Sequence, residues 1–296
     1  MLHFARWAGL AGMLLAAGVL LFRRLVWRPV TSRSEMPDAV EKRFAARSRP
    51  LLVGAWVAST GATLVALLIE PGYAQVDAVR FGLVVLPLGA VLATETRSPD
   101  HGPTAALLEA ASVAGLVLSA ALTGHVRGSS PLVPNLAAAA IHVGGAAAWG
   151  GGLVTLLVAA LPSARALSGG RRVALLAPVV ARFSNIAVVA VAVAVVVASG
   201  VYSAWVEVRT LGGLTDSTYG LVLLAKLGAL VPILALGAVN NRWMTRRMVR
   251  AAASGSSEAT AIVMLRRLVA WEVALLGILV GLTAFLLSLS PPGRSL

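Results

Sequence analysis

Eight runs of roughly twenty apolar residues leave this chain few ways to fold. They lie near 4–26, 50–69, 76–94, 105–124, 134–161, 181–206, 218–241 and 268–289. A helix rising 1.5 Å per residue crosses a bilayer core of about 30 Å in about 20 residues. Lipid offers no partner to an open backbone group. None of the runs shows the two-residue alternation of a barrel strand, so each reads as a helix. Composition agrees, with 58% of residues hydrophobic and 12% charged, about half the charge of an ordinary soluble domain. The expected fold is all-α: a polytopic membrane helix bundle of about eight transmembrane helices, forming one integral membrane domain over 1–296. No small-residue cleavage site follows a short apolar core, so the first run reads as a retained helix. The third run carries Arg80 near its start and Pro87 within it. The loop lengths suggest a packing division near residue 130.

The basic residues set the orientation. Lys and Arg number 25 against 12 Asp and Glu, a net charge of +13. Nineteen of the 25 gather on one side, in the loop after the first run (Arg23 to Arg49), at Arg97, and in two later stretches (Arg165 to Arg182, Arg242 to Arg267). By the positive-inside rule that side is cytoplasmic and both termini face outward. The excess charge is a topology signal, so the expected partner is membrane lipid and no nucleic acid is required. The chain has no cysteine, which excludes disulfides, thiolate metal sites and thiol redox chemistry. It has no glycine-rich phosphate loop, HExxH or GxSxG, and no paired intramembrane carboxylates. An enzyme is therefore not expected; a transporter, a cofactor-holding bundle or an assembly protein is.

Ionisable residues inside a bilayer are costly and are the first functional candidates. His101 falls on the cytoplasmic side, whereas His3, His125 and His142 fall in the outer half. His142 lies in the fifth run, about 12 Å below an outer end at Pro134, and reads either as a neutral imidazole hydrogen-bonded to a neighbouring helix or as a metal or haem ligand. Trp149 follows it by two helical turns on the same face, while Ala140, Gly144, Ala148 and Gly152 recur every four residues as a seam for close helix packing. Lys226 in the seventh run lies at a similar depth, with Tyr219 two turns earlier on its stripe. It can snorkel outward, pair with Glu207 or Asp216, exclude cations or tune a histidine. Glu70, Asp77, Glu207 and Asp216 read as solvated loop charges, Arg182 and Glu272 as inner helix-end residues that anchor or pair. Met244 and Met248, one turn apart, could offer thioethers to Cu(I), but the flanking arginines favour a basic surface.

The segment GHVRGSSPLVPNLAAAAIHVGGAAAWGGGLVTLL (124–157) resembles the copper resistance protein D (CopD-like) family. The matching features are a glycine–histidine pair, Gly124 and His125, then a helix of the form H-x6-W-x-G-G, with His142, Trp149, Gly151 and Gly152. The similarity continues through 182–205, 218–242 and 271–293, so it is strongest over 120–293, and the first four spans agree only in hydropathy. The resemblance implies a multi-pass protein of the bacterial cytoplasmic (inner) membrane that serves copper homeostasis and moves copper ions across it. Relatives work beside, or are fused to, a periplasmic CopC-type copper-binding domain, which this chain does not carry as a fusion. The expected metal residues are His125, His142 and His3, with copper as the ion and Trp149, Lys226 and Tyr219 in support. Imidazole suits Cu(I) and Cu(II), and thioethers are the only soft side-chain donors in a chain without cysteine. Two rival readings are a haem-binding electron-transfer bundle, with His142 and His125 as axial ligands, and a non-transporting scaffold or assembly factor for a copper oxidase.

Overall fold

The computed structural model describes residues 2–32, 37–69, 74–97, 102–123, 131–184, 189–244, 246–247, 250 and 259–291. All regular elements among them are helical. Helix α1 (Leu2–Phe22) is carried on to Thr31 through a wide, π-helical turn at Arg23–Trp27. Then come α2 (Asp38–Ile69), α3 (Ala74–Arg97) and α4 (Pro103–Ala121). Helix α5 (Leu132–Ala166) contains two wide turns, Ala147–Gly151 and Leu156–Ala160. It is followed by α6 (Gly169–Ser184), α7 (Val189–Val208), α8 (Thr218–Val239) and α9 (Ala259–Leu286). Seven helices among the described residues are long and apolar enough to cross a membrane, and α7 contributes a shorter apolar stretch, Ala194–Val208. The chain is an all-α, multi-pass bundle. The sixth expected run divides into α6 and α7, with 185–188 outside the described residues.

Helix α1 is the centre, packing on α2, α4, α5 and α9. Around it α2 meets α3, α3 meets α4, α5 meets α7, and α8 meets α9. Glycines allow these approaches, since a side chain at Gly9 would meet Ala62, and one at Gly12 would meet Ser59 and the Ala55 carbonyl. A Cβ at Gly18 would overlap the Ala147 carbonyl and the backbone of Gly151. Two members of the expected seam, Gly144 and Gly152, meet different neighbours. Gly144 faces Val117 of α4 at an ordinary 3.9 Å, Gly152 faces the Phe183 ring of α6, and the close contact with α1 falls on Gly151. The wide turn at Ala147–Gly151 inserts a residue into the helical count and shifts the four-residue stripe.

Two helices outrun their expected limits. Helix α2 begins at Asp38 and passes through Pro50, although a proline costs an interior helix a hydrogen bond. Its extra turns are anchored by Phe44, which stacks on Trp27 with centroids 4.1 Å apart, while Val40 is fully buried. Helix α6 lies in what reads as loop, and it is amphipathic. Val173, Leu175, Leu176, Val179, Val180 and Phe183 are buried, and Arg182 donates to the Leu25 carbonyl at 2.5 Å.

The charges too are more engaged than loop charges would be. Asp77 is buried and paired with buried Arg80, which also donates to the Ser119 carbonyl at 3.1 Å and to Thr123 Oγ1 at 2.9 Å. The solvated reading of Asp77 is thus corrected: one turn of helix brings its carboxylate back onto the guanidinium. Asp216 is exposed, as expected, and accepts from Thr215 at 2.8 Å; Glu70 lies outside the described residues. At the arginine-rich end the Glu109 carboxylate, 4% exposed, is held by Arg23 at 2.6 Å and Arg28 at 3.0 Å, with Arg24 at 3.8 Å.

Two outcomes follow from this packing. Gly18→Val and Gly151→Val each lower the thermal midpoint of the detergent-solubilised protein by many degrees, whereas Gly144→Ala leaves it within a few degrees of wild type. Asp77→Ala strands a buried guanidinium and costs about 3–5 kcal/mol. Asp77→Ala combined with Arg80→Leu regains most of that loss in the same unfolding assay.

Candidate functional site

Helix α7 packs on α5 and helix α8 on α9. Between these two pairs, against α1, lies a cavity of about 550 Å³. Its wall is mostly leucine, valine, alanine and glycine, and the lining residues with polar side-chain groups are His142, Lys226, Thr210, Thr283 and the tryptophans Trp7, Trp149 and Trp205. Thr283 already donates to the Leu279 carbonyl at 2.8 Å. Two residues singled out by depth, His142 and Lys226, thus line one space, together with Trp149.

His142 is fixed by α7. Its Nδ1 lies 2.9 Å from the Val196 carbonyl oxygen and 3.3 Å from Ser199 Oγ. A carbonyl can only accept, so the neutral ring carries its proton on Nδ1 and keeps the lone pair on Nε2. This is the arrangement that metal-binding histidines use, the outer hydrogen bond setting both tautomer and ring orientation. Gly200 makes room for the ring: a Cβ there would stand 3.1 Å from His142 Cε1. A second link between the same two helices, Tyr202 Oη donating to Asn135 Oδ1 at 2.9 Å, sits nearer the start of α5.

Lys226 comes from the third turn of α8, about 12 Å below its first residue. It does not pair with Glu207 or Asp216; among the described residues no carboxylate lies within ion-pair distance of it. Tyr219 turns elsewhere. It is 8% exposed and packs with Val208, Leu223 and Leu286, not on the cavity wall. His125, His101 and Met248 lie outside the described residues. So do the side chains of His3 and Met244, although their backbones are helical. Among the described residues no group of three His, Cys, Asp or Glu side chains comes together to hold a metal. His142 is therefore the one expected metal residue whose surroundings can be stated.

One polar pair lies deeper in its helix than the sequence suggests. Glu272 sits near the middle of the 28-residue α9, 1% exposed, and accepts from Asn240 Nδ2 at 3.2 Å. Its placement at a helix end is corrected by the thirteen residues of helix that precede it. The arginines 266 and 267, taken as loop, are in fact helical.

No curated protein and no solved structure matches the chain. Residues 177–286, from α6 to the last residue of α9, match the family model of Copper resistance protein D. This stretch supplies three of the cavity's walls, α7, α8 and α9, while His142 lies outside it. The chain is a multi-pass membrane protein whose carboxyl-terminal part, residues 177–286, is similar to the copper resistance protein D (CopD) family.

Proposed function

We propose that the protein moves copper ions across the bacterial cytoplasmic (inner) membrane, receiving them at an outward-facing site whose one described ligand is His142. The observation that carries this reading is the imidazole itself: its Nδ1 is committed to the Val196 carbonyl at 2.9 Å, which leaves the Nε2 lone pair for a metal on a residue that lines the cavity. Support also comes from the copper resistance protein D match over residues 177–286. Both termini, and with them the open end of the α7–α8 pair, face the periplasm in this reading, because the arginine-rich end is cytoplasmic. His125 and His3 complete the ligand set, and a CopC-type periplasmic protein delivers the ion.

The chemistry asked of the chain is modest. Copper exchanges one carrier's ligands for Nε2 of His142, whose basicity the backbone hydrogen bond raises. Trp149 on the same wall shields the ion from water and can offer its ring face to the cation. Without a phosphate-binding loop, movement inward runs on the ion gradient and the membrane potential, worth about 2.3 kcal/mol per charge per 100 mV.

Titration of the purified protein with Cu(I) against a colorimetric chelator tests this directly. The expected result is stoichiometric binding that weakens about tenfold or more in His142→Ala and is unchanged in His101→Ala, in line with the scale of losses seen when metal sites lose a member. Clean protein that binds no copper, or equal affinity in both variants, overturns the reading in favour of a scaffold.

A further inference from the structure

A copper ion fills a small fraction of the space beside His142. The cavity's 550 Å³ falls instead in the range of small-molecule sites, roughly 300–1,000 Å³. Its lining is unsuited to a water-soluble ligand, since apolar carbon covers nearly all of it. Lys226 is its one lysine, and no described carboxylate stands within ion-pair distance to balance the charge. An ammonium group at this depth is costly without a counter-charge. The chemistry missing from the cavity is therefore a single negative charge attached to a bulky apolar body.

The route in has the same character. Val197, Val201 and Trp205 of α7 and Leu227 of α8 line the cavity yet remain exposed, at 38%, 62%, 64% and 45%. They form a lip between helices that pack on different partners. In a bilayer this lip meets acyl chains, not water, so the ligand arrives from within the membrane. One acyl chain of sixteen to eighteen carbons, at roughly the 30 Å³ that a water-sized group occupies, matches the volume. A two-chain phospholipid exceeds it.

We propose that this cavity binds a free long-chain carboxylic acid drawn from the surrounding membrane, its carboxylate on Lys226 and its chain along the wall formed by α1, α5, α7 and α9. The assignment stands apart from copper: it uses Lys226 and the apolar wall and asks nothing of His142 Nε2. Where both are bound, the carboxylate removes the repulsion that Lys226 exerts on a cation at the imidazole.

The test uses the full-length protein in dodecyl maltoside and cis-parinaric acid as the probe. Trp7, Trp149 and Trp205 line the cavity and serve as energy donors. Saturable energy transfer at one equivalent is expected, displaced by oleic acid but at least tenfold less well by methyl oleate, which keeps the chain and lacks the charge. Lys226→Met is expected to weaken the acid at least tenfold and Lys226→Arg to retain it, while His142→Ala loses copper and keeps the acid. Equal displacement by acid and ester on the unaltered protein overturns the proposal whether or not any variant folds. So does unchanged affinity in Lys226→Met. A Soret band in the protein as purified, lost in His142→Ala, also overturns it and assigns the space to a haem.

Discussion

The close approach of α1 to its neighbours is the contact on which the rest of the bundle rests. In lipid no hydrophobic force draws one apolar helix to another, so association depends on packing and on backbones coming near. Helix α1 meets α2 through Gly9 and Gly12, and α5 through Gly18 against Gly151. Its remaining faces are taken by α4 and α9. One helix thus joins the α2–α4 group to the α5–α9 group, and its Leu10, Leu14 and Trp7 wall the cavity. Remove that approach and the cavity loses a wall, while Arg23 and Arg28, which extend from the same helix, lose their hold on Glu109.

Much of this was readable in the sequence, because bilayer thickness imposes a length on apolar runs that no tertiary contact can override. What could not be read was whatever depends on a neighbour. The extension of α2 ahead of Pro50 exists because Phe44 finds Trp27, a partner seventeen residues away in a different helix. Gly144 and Gly152 of the stripe from Ala140 to Gly152 meet different neighbours, with the wide turn at Ala147–Gly151 between them, and nothing in a glycine-rich run announces where such a turn will fall. Asp77 reads as a loop charge by position, yet it is buried beside Arg80, which Ser119 and Thr123 at the end of α4 also hold. Depth singled out His142 and Lys226, and both line one cavity; facing did not follow from depth, as Tyr219, on the same stripe as Lys226, packs in another cluster.

Charge is sorted along the bundle axis. At one end three arginines close on Glu109, and at the other Arg80 closes on Asp77. Between them the described polar groups are few: His142 tied to Val196, Glu272 tied to Asn240, and Lys226 facing an apolar space. The ends hold the helices in register through multiple charge-assisted bonds, which are roughly twice as strong as neutral ones. The middle is left with groups that have spare bonding capacity, which is where a ligand or an ion finds something to bind.

The placement of α1 also bears on how the chain is made. Its partner α9 lies more than 250 residues further along, and Arg6 reaches the Leu287 carbonyl at 3.4 Å across a separation of 281 residues. During synthesis α1 is in the membrane long before the helix that covers its last face exists. Contacts of such long sequence separation are slow to form and leave intermediates open. Through most of translation the future cavity is thus an open groove on α1 filled by lipid, and the arrival of α9 encloses whatever has settled there.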